Sequence, residues 1–290
     1  MELTHTSATV KASKTLRLYP IGDVHLGATA CDINDFRRTV QMVAEDRDAR
    51  WLGLGDMGDF IMPSDPRWNM DGHDWKRLGY HKGRPSSGNL AVEHVAFIRR
   101  ELEPIRDKCL GLLDGNHEDA FRKHYFSDPM REIAEAFKVR HLGYTTLIQL
   151  DIAKRGRPDN LWTVNIFAEH GATGGGTIGN ATNSIQRRAA EWEADVYLKG
   201  HVHQYGVTQK VALSYGEQDG EPRIAKRDRL FMLTGTYLRG YQIGVQETTT
   251  YSERKGYPPS EIGGGVILFD LEERRIHGMS TAAYAAARKE

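Results

Sequence analysis

Apolar residues in the first half of the chain alternate between short continuous runs and longer stretches in which they return every three or four positions. Leu16 to Ile21 reads as a short strand that ends at Gly22-Asp23. From Asp32 to Arg47 the apolar positions Ile33, Phe36, Val40 and Val43 keep helical spacing, with Asp32 placed as an N-cap. Trp51 to Leu54 predicts a second strand, stopping at Gly55-Asp56. Asn89 to Arg106 predicts a second helix, its stripe made of Leu90, Val92, Val95, Ile98 and Leu102, and Cys109 to Leu113 a third strand. Strand, helix, strand, helix, strand favours a parallel sheet with helices packed on it.

The second half is richer in strand-like runs. Tyr144 to Ile152, Leu161 to Phe167, Val196 to Leu198, Val207 to Ser214, Leu230 to Leu233 and Val266 to Leu271 all read as strands, with a helix over Ser184 to Ala194. The fold class expected is therefore mixed α/β. Residues 63–87 and 239–265 keep neither period and read as loop insertions in a single domain spanning 1–290.

Composition changes this picture little. With 290 residues, 39% hydrophobic and 27% charged, the chain is long enough to bury a large core without covalent staples. A formal net charge of zero argues against a general polyanion coat, though not against a local basic groove. The two cysteines, Cys31 and Cys109, give no disulfide framework, and a reducing cytoplasm is the simpler expectation. The start of the chain lacks an apolar stretch of signal-peptide type, and no run approaches the ~20 residues that span a bilayer, so no membrane partner is expected. Nothing in the sequence selects an oligomeric state.

The chemistry lies at the strand ends. Asp23 and His25 follow the first strand, Asp56 and Asp59 the second, Asn116, His117 and Glu118 the third. His170 follows the run through Phe167, and His201 and His203 follow the run through Leu198. Each cluster alone reads as a turn, a helix start or a surface histidine. Together they matter, because the carboxyl ends of strands in an open α/β sheet line the ligand crevice. In Gly200-His201-Val202-His203, alternation on a strand would aim both imidazoles to one side. The set holds imidazole, carboxylate and amide without thiolate, which suits manganese, iron, zinc or related ions.

In that order, Gly22-Asp23-Val24-His25, Gly55-Asp56-Met57-Gly58-Asp59, Gly115-Asn116-His117-Glu118, His170-Gly171 and Gly200-His201-Val202-His203 closely resemble the signature blocks of the calcineurin-like metallophosphoesterase superfamily. The resemblance implies a two-sheet β-sandwich flanked by helices and two divalent metal ions: manganese first, with iron, zinc, nickel or magnesium as alternatives. It implies that Asp23, His25 and His203 hold one metal, that Asn116, His170 and His201 hold the other, and that Asp56 bridges them. His117 would stand over the substrate as proton donor or transition-state stabiliser, with Asp59 and Glu118 in support. The activity implied is hydrolysis of a phosphate ester. The protein Ser/Thr phosphatases of that superfamily carry Arg and Gly after the second Asp; here Phe60 and Ile61 follow Asp59, so the resemblance is to the broader group.

Substrate must be read from the loops. Residues 63–87 interleave Arg67, Trp68, His73, Trp75, Lys76, Arg77, Tyr80, His81, Lys82 and Arg84, a mixture able to hold phosphates and stack bases. Gly174-Gly175-Gly176 could let the backbone approach a substrate, and Arg239, Tyr241, Tyr251, Arg254, Lys255 and Tyr257 could form a far wall. The expectation is a phosphodiesterase acting on DNA, RNA or a nucleotide-like ester. The alternatives are a phosphomonoesterase on a small metabolite and a non-catalytic scaffold.

Overall fold

The computed structural model describes residues 4–80, 87–125, 127–172, 177–218, 221–241, 250, 252, 253, 256 and 258–288. The first half follows the predicted alternation. Strand β1 (Thr4–Ala12) precedes β2 (Thr15–Ile21), α1 (Ile33–Glu45), β3 (Ala49–Leu54), α2 (Ser87–Leu102), β4 (Cys109–Leu113), α3 (Asn116–Tyr125) and α4 (Pro129–Phe137). The second half contributes β5 (Thr145–Lys154), β6 (Arg157–Glu169), α5 (Ile178–Arg187), β7 (Val196–Lys199), β8 (Tyr205–Gln218), β9 (Glu221–Thr236), β10 (Gly263–Asp270), β11 (Arg275–Ser280) and α6 (Thr281–Ala287).

Helix α1 forms where its period predicts. The Asp32 side chain accepts from Asp35 N at 3.1 Å, and Ile33, Phe36, Val40 and Val43 are buried against the sheet. Helix α2 is shorter than expected: Pro104 stands two residues beyond Leu102, and residues 103–108 close as a 3-10 turn rather than a fifth α turn. The helix expected over Ser184 to Ala194 begins earlier, at Ile178, because Thr177 caps it and Ala181 and Ile185 bury its inner face. Strand β1 has too few apolar residues to stand out in the sequence. It forms as the parallel neighbour of β5, burying Thr6, Val10 and Ala12.

Strands β2, β3 and β4 pair in parallel, as do β6, β7 and β9. The described strands form one mixed sheet of eleven, in the order β1-β5-β6-β7-β9-β10-β2-β3-β4, with β8 on β9 and β11 on β10. Two separate sheets are therefore not what the pairing gives. The halves join where Gly263 and Gly264 pair with Thr236 and Gly235. Gly235 has φ +82°, and a Cβ there would stand 2.2 Å from Gly263 O, so only glycine permits the junction. One apolar cluster takes Leu18, Leu52 and Leu113 from one half and Leu150, Val164, Leu198 and Met232 from the other. A second lies between the outer face of β2–β4 and helices α1, α2 and α4. Both cysteines are free thiols. Among the described residues no helix is long and apolar enough to cross a membrane.

Candidate metal centre

The carboxyl ends of β2, β3, β4, β6 and β7 converge, and each delivers its polar residues at once. The chain must turn sharply there to aim the side chains. Asp23 (φ 50°), His25 (53°), Asp56 (49°), His201 (66°) and His203 (53°) all take left-handed backbone conformations that non-glycine residues rarely adopt. Strain of this kind costs ~1–3 kcal/mol per residue and persists only where surrounding structure enforces it, most often at functional sites. The enforcement is visible. Asp23 N donates to Gly55 O, and Asp23 O accepts from Tyr237 N and from Thr236 Oγ1 at 2.9 Å. Val24 N and His25 N both donate to Asp56 O.

Two of the ligand-atom groupings match the expected sets; His25, Asp59 and His117 form a third among the described residues, and Asp114, Asp128 and His141 a fourth. In the first, Asp23, His25, Asp56 and His203 bring their side-chain atoms within 4.8 Å of one another. His203 Nε2 lies 3.2 Å from Asp23 Oδ1 and 3.2 Å from His25 Nε2. In the second, Asp56, His170 and His201 meet in the same way, and Asn116 Oδ1 sits 3.2 Å from His170 Nε2 and 2.7 Å from His201 Nδ1. Asp56 belongs to both groups. All seven residues expected as ligands are thus brought together. The route for two of them differs from expectation: β7 ends at Lys199, and His201 and His203 lie beyond it in a left-handed turn. They do not share a strand face, and each points into a different group.

The donor chemistry fits cations. His170 Nδ1 lies 2.7 Å from Leu54 O, a carbonyl that can only accept, so Nδ1 carries the proton. In the neutral ring, Nε2 then turns a lone pair toward Asp56 Oδ2 at 3.4 Å and Asn116 Oδ1 at 3.2 Å. Three lone-pair donors converging in a buried space repel unless a cation lies among them, and a backbone carbonyl fixing the far nitrogen is the usual support of a metal-bound imidazole. Burial opposes charge on His170, yet the Asp56 carboxylate overrides it and lifts the imidazole to about 10, so a proton and a cation compete for the same Nε2 lone pair. Burial likewise works against ionised Asp56, and the surrounding imidazoles, His170 foremost, hold it well below the usual carboxylate range.

The supporting residues are placed by the same turns. Glu118 is 1% exposed and accepts from four backbone N–H groups: Gly115 at 2.8 Å, Asp56 at 2.8 Å, Met57 at 2.9 Å and Gly58 at 3.3 Å. It ties the β3 turn to the β4 turn. Burial and the nearby Asp56 charge push its carboxyl up to about 7, against the pull of those donors. Gly115 is obligatory, since a Cβ there would meet Asp56 Oδ1 at 2.1 Å. Asp59 reaches His25 Nδ1 at 3.4 Å, and its backbone carbonyl accepts from His117 Nδ1. Gly200 N–Cα stands against Asp23, where a Cβ would meet Oδ2 at 2.8 Å. Sequence patterns give Glu118 and Asp59 but not Thr236 and Tyr237, at the end of β9 with no polar block beside them, nor Leu54 O, a backbone carbonyl that no side-chain pattern marks.

His117 stands beside the groups rather than in the ligand set. Its N–H donates to Asp56 Oδ1 at 2.9 Å and its ring meets His25 edge-on at 4.5 Å. Burial pushes its imidazole down to about 4. With Nδ1 donating to Asp59 O, the ring is neutral and Nε2 accepts from Arg67 Nη1 at 2.9 Å. Asp65 fixes that guanidinium, Oδ1 taking Nε at 3.0 Å and Oδ2 taking Nη2 at 2.8 Å. Among the described residues of the loop, Arg67 reaches the site. The aromatics expected to stack bases do other work. Trp68, Trp75 and Tyr80 pack on the core, and His73, 3% exposed, stacks on Trp75 at 5.0 Å. Arg77 pairs with Asp74, and Arg239 with Asp32 at 2.6 Å. His81, Lys82, Arg84, Gly174, Gly175, Gly176, Tyr251, Arg254, Lys255 and Tyr257 lie outside the described residues. Comparison with known proteins gives no matching family model and no matching curated protein.

Proposed function

We propose that this chain is a phosphoesterase that works with two divalent metal ions and is related to the calcineurin-like metallophosphoesterases. The observation that carries the reading is the pair of ligand groups sharing Asp56, with His25 and His203 of one group and His201 of the other aimed from strained turns. Asp23, His25, His203 and Asp56 would hold one ion; Asn116, His170, His201 and Asp56 the other. Manganese suits the oxygen and nitrogen donors, and iron, zinc, nickel or magnesium would be accepted by the same set. When bound, such a pair lowers the pKa of a shared water and neutralises charge on the phosphoryl oxygens. The reading also takes the curved sheet as two packed halves, which the apolar cluster drawn from both supports.

The chain's own groups supply the rest. Arg67 projects a guanidinium held by Asp65, oriented to take a phosphoryl oxygen. When it does so, Nε2 of His117 is released from Arg67 as a free lone pair; it would take up a proton from water beside the bound phosphate, and that proton would pass to the leaving oxygen. Asp59 keeps the His117 ring oriented through its carbonyl. A scaffold has no need of five ligand residues in left-handed backbone.

A phosphodiester is the first substrate class, a nucleotide-like ester within it. A phosphomonoester is the second reading, favoured by Arg67, whose charge suits a terminal dianion. The test is a paired assay with manganese supplied, bis-p-nitrophenyl phosphate against p-nitrophenyl phosphate, with chelated protein as control. Diester cleavage exceeding monoester cleavage is expected. Monoester preference selects the second reading, and no metal-dependent turnover of either contradicts both.

A further inference from the structure

The loop that carries Arg67 is fixed at its far end. Thr29 N donates to Gly72 O at 2.8 Å and Asp74 N to Gly27 O at 2.8 Å, so residues 72–74 lie against the turn that follows His25. Between Ile61 and Gly72 the backbone turns on itself, with Asp65 N donating to Met62 O, Trp68 N to Asp65 O and Gly72 N to Asn69 O. From the fixed end, His73 reaches back into this stretch. Its Nε2 lies 2.8 Å from Ile61 O and its Nδ1 3.1 Å from Asn69 O. Carbonyl oxygens only accept, and a neutral imidazole has a single N–H, so both bonds form together only on a doubly protonated ring. The surroundings suit that form. The ring stacks on Trp75 at 5.0 Å with 20° between the planes, and Trp68 stands at 4.6 Å. Indole rings attract a cation held over them.

We infer that His73 is a positioning residue: doubly protonated, it clasps Ile61 to Asn69 and so holds Arg67 beside His117. Arg67 lies between the two clasped carbonyls. Its backbone N–H and its guanidinium are both held by Asp65, so the two residues move with the loop. The charged and titratable groups around the ring are consistent with a cation there. From α2, His94 stands edge-on at 6.0 Å; burial, and next His73, push its imidazole down to about 4, so it stays neutral. From the turn after β3, burial opposes charge on Asp59, but His25, His117 and His73 hold its carboxyl below the ordinary value. On the loop itself, Asp65 is paired with Arg67 and Asp74 with Arg77, and Asp71 lies in the turn Met70–Gly72. A ring that loses one proton keeps one bond and turns a lone pair toward the other carbonyl. The clasp is therefore closed at lower pH and opens as pH rises. The clasp itself is independent of the phosphoesterase reading; its effect on turnover rests on that reading.

The test has two arms. The first reads the ring nitrogens of His73 by nuclear magnetic resonance in the full chain labelled with 15N-histidine, the ring being identified by its contacts with the indoles of Trp68 and Trp75. Two N–H protons are expected at neutral pH, with loss of one in alkali accompanied by greater acrylamide quenching of tryptophan fluorescence. A single N–H at neutral pH overturns the inference, as does loss of one proton with no change in quenching. The second arm measures turnover of bis-p-nitrophenyl phosphate with manganese supplied for His73→Gln, Arg67→Ala and the double variant. His73→Gln cannot carry the charge and is expected to lower kcat/KM tenfold or more at unchanged metal content. The double variant is expected to be no worse than Arg67→Ala alone, because both losses act through Arg67. Losses that multiply in the double variant overturn the positioning role. The nitrogen spectrum needs no variant, so it decides the clasp even where His73→Gln unfolds. Absence of turnover in the wild type contradicts the phosphoesterase reading alone, and the first arm still decides the clasp.

Discussion

Asp56 shows how much one residue can be asked to do. Its backbone carbonyl accepts from Val24 and His25, its N–H donates to Glu118, and its Oδ1 accepts from His117 N. The side chain faces both ligand groups while its own backbone fixes the neighbouring ligand turn. Glu118 is the other hub. Replacing it with Ala leaves four buried N–H groups without an acceptor. Glu118→Ala is expected to cost about 3 kcal/mol or more, each lost partner carrying roughly 1–3 kcal/mol. Thermal melting would show a large fall, and a variant that melts like wild type would remove Glu118 from this role. His117 differs, since it binds outside the ligand set. His117→Ala is expected to keep full metal content and lose 100-fold or more in turnover, the usual contribution of a positioned acid or base. Loss of metal in that variant would make His117 a ligand instead.

At the scale of elements, the ligand blocks were legible in the sequence because each follows an apolar run that has no alternative to being a buried strand. Trp51-Leu52 and Cys109 to Leu113 form strands where expected, and the polar residues after them arrive at one place. What was not legible is what long-range contact decides. Strand β1 gains its place only from β5, whereas the helix start that is one reading of the Asn116 block does form, as α3. The loop aromatics could equally have faced solvent or core; the apolar surface beneath them settles Trp68 and Trp75 inward. Connections between elements also carry stability. Asp48, just before β3, accepts from Arg155 Nη2 at 2.7 Å and from Ser13 N at 2.9 Å. Burial opposes its charge, but these partners hold the carboxyl below its ordinary value. A carboxylate depressed in the fold contributes stability above its unfolded pKa and loses it as pH falls through the folded value. Asp48→Asn is therefore expected to cost about 1–2 kcal/mol at neutral pH. Denaturant melts should show that gap closing in acid, and a gap constant down to the acid limb would contradict the ion pair.

At the scale of the molecule, the sheet joins two halves through the β9–β10 pairing. One half supplies Asp23, Asp56 and Asn116, and the other His170, His201 and His203. Neither half holds a complete ligand group, so the site exists only when the curve through Gly235 and Gly263 is closed. On the proposed reading, metal binding would be coupled to the junction, since a ligand that binds only the closed form stabilises the whole chain. The most direct measurement is the metal content of purified protein equilibrated with manganese, read with its electron paramagnetic resonance spectrum, for wild type and for Asp56→Asn. Two equivalents with a spin-coupled signal are expected for wild type, and loss of the coupling with reduced content for the variant. One equivalent or fewer in wild type, or two uncoupled ions unaffected by the substitution, would contradict a shared Asp56 at the centre of the site.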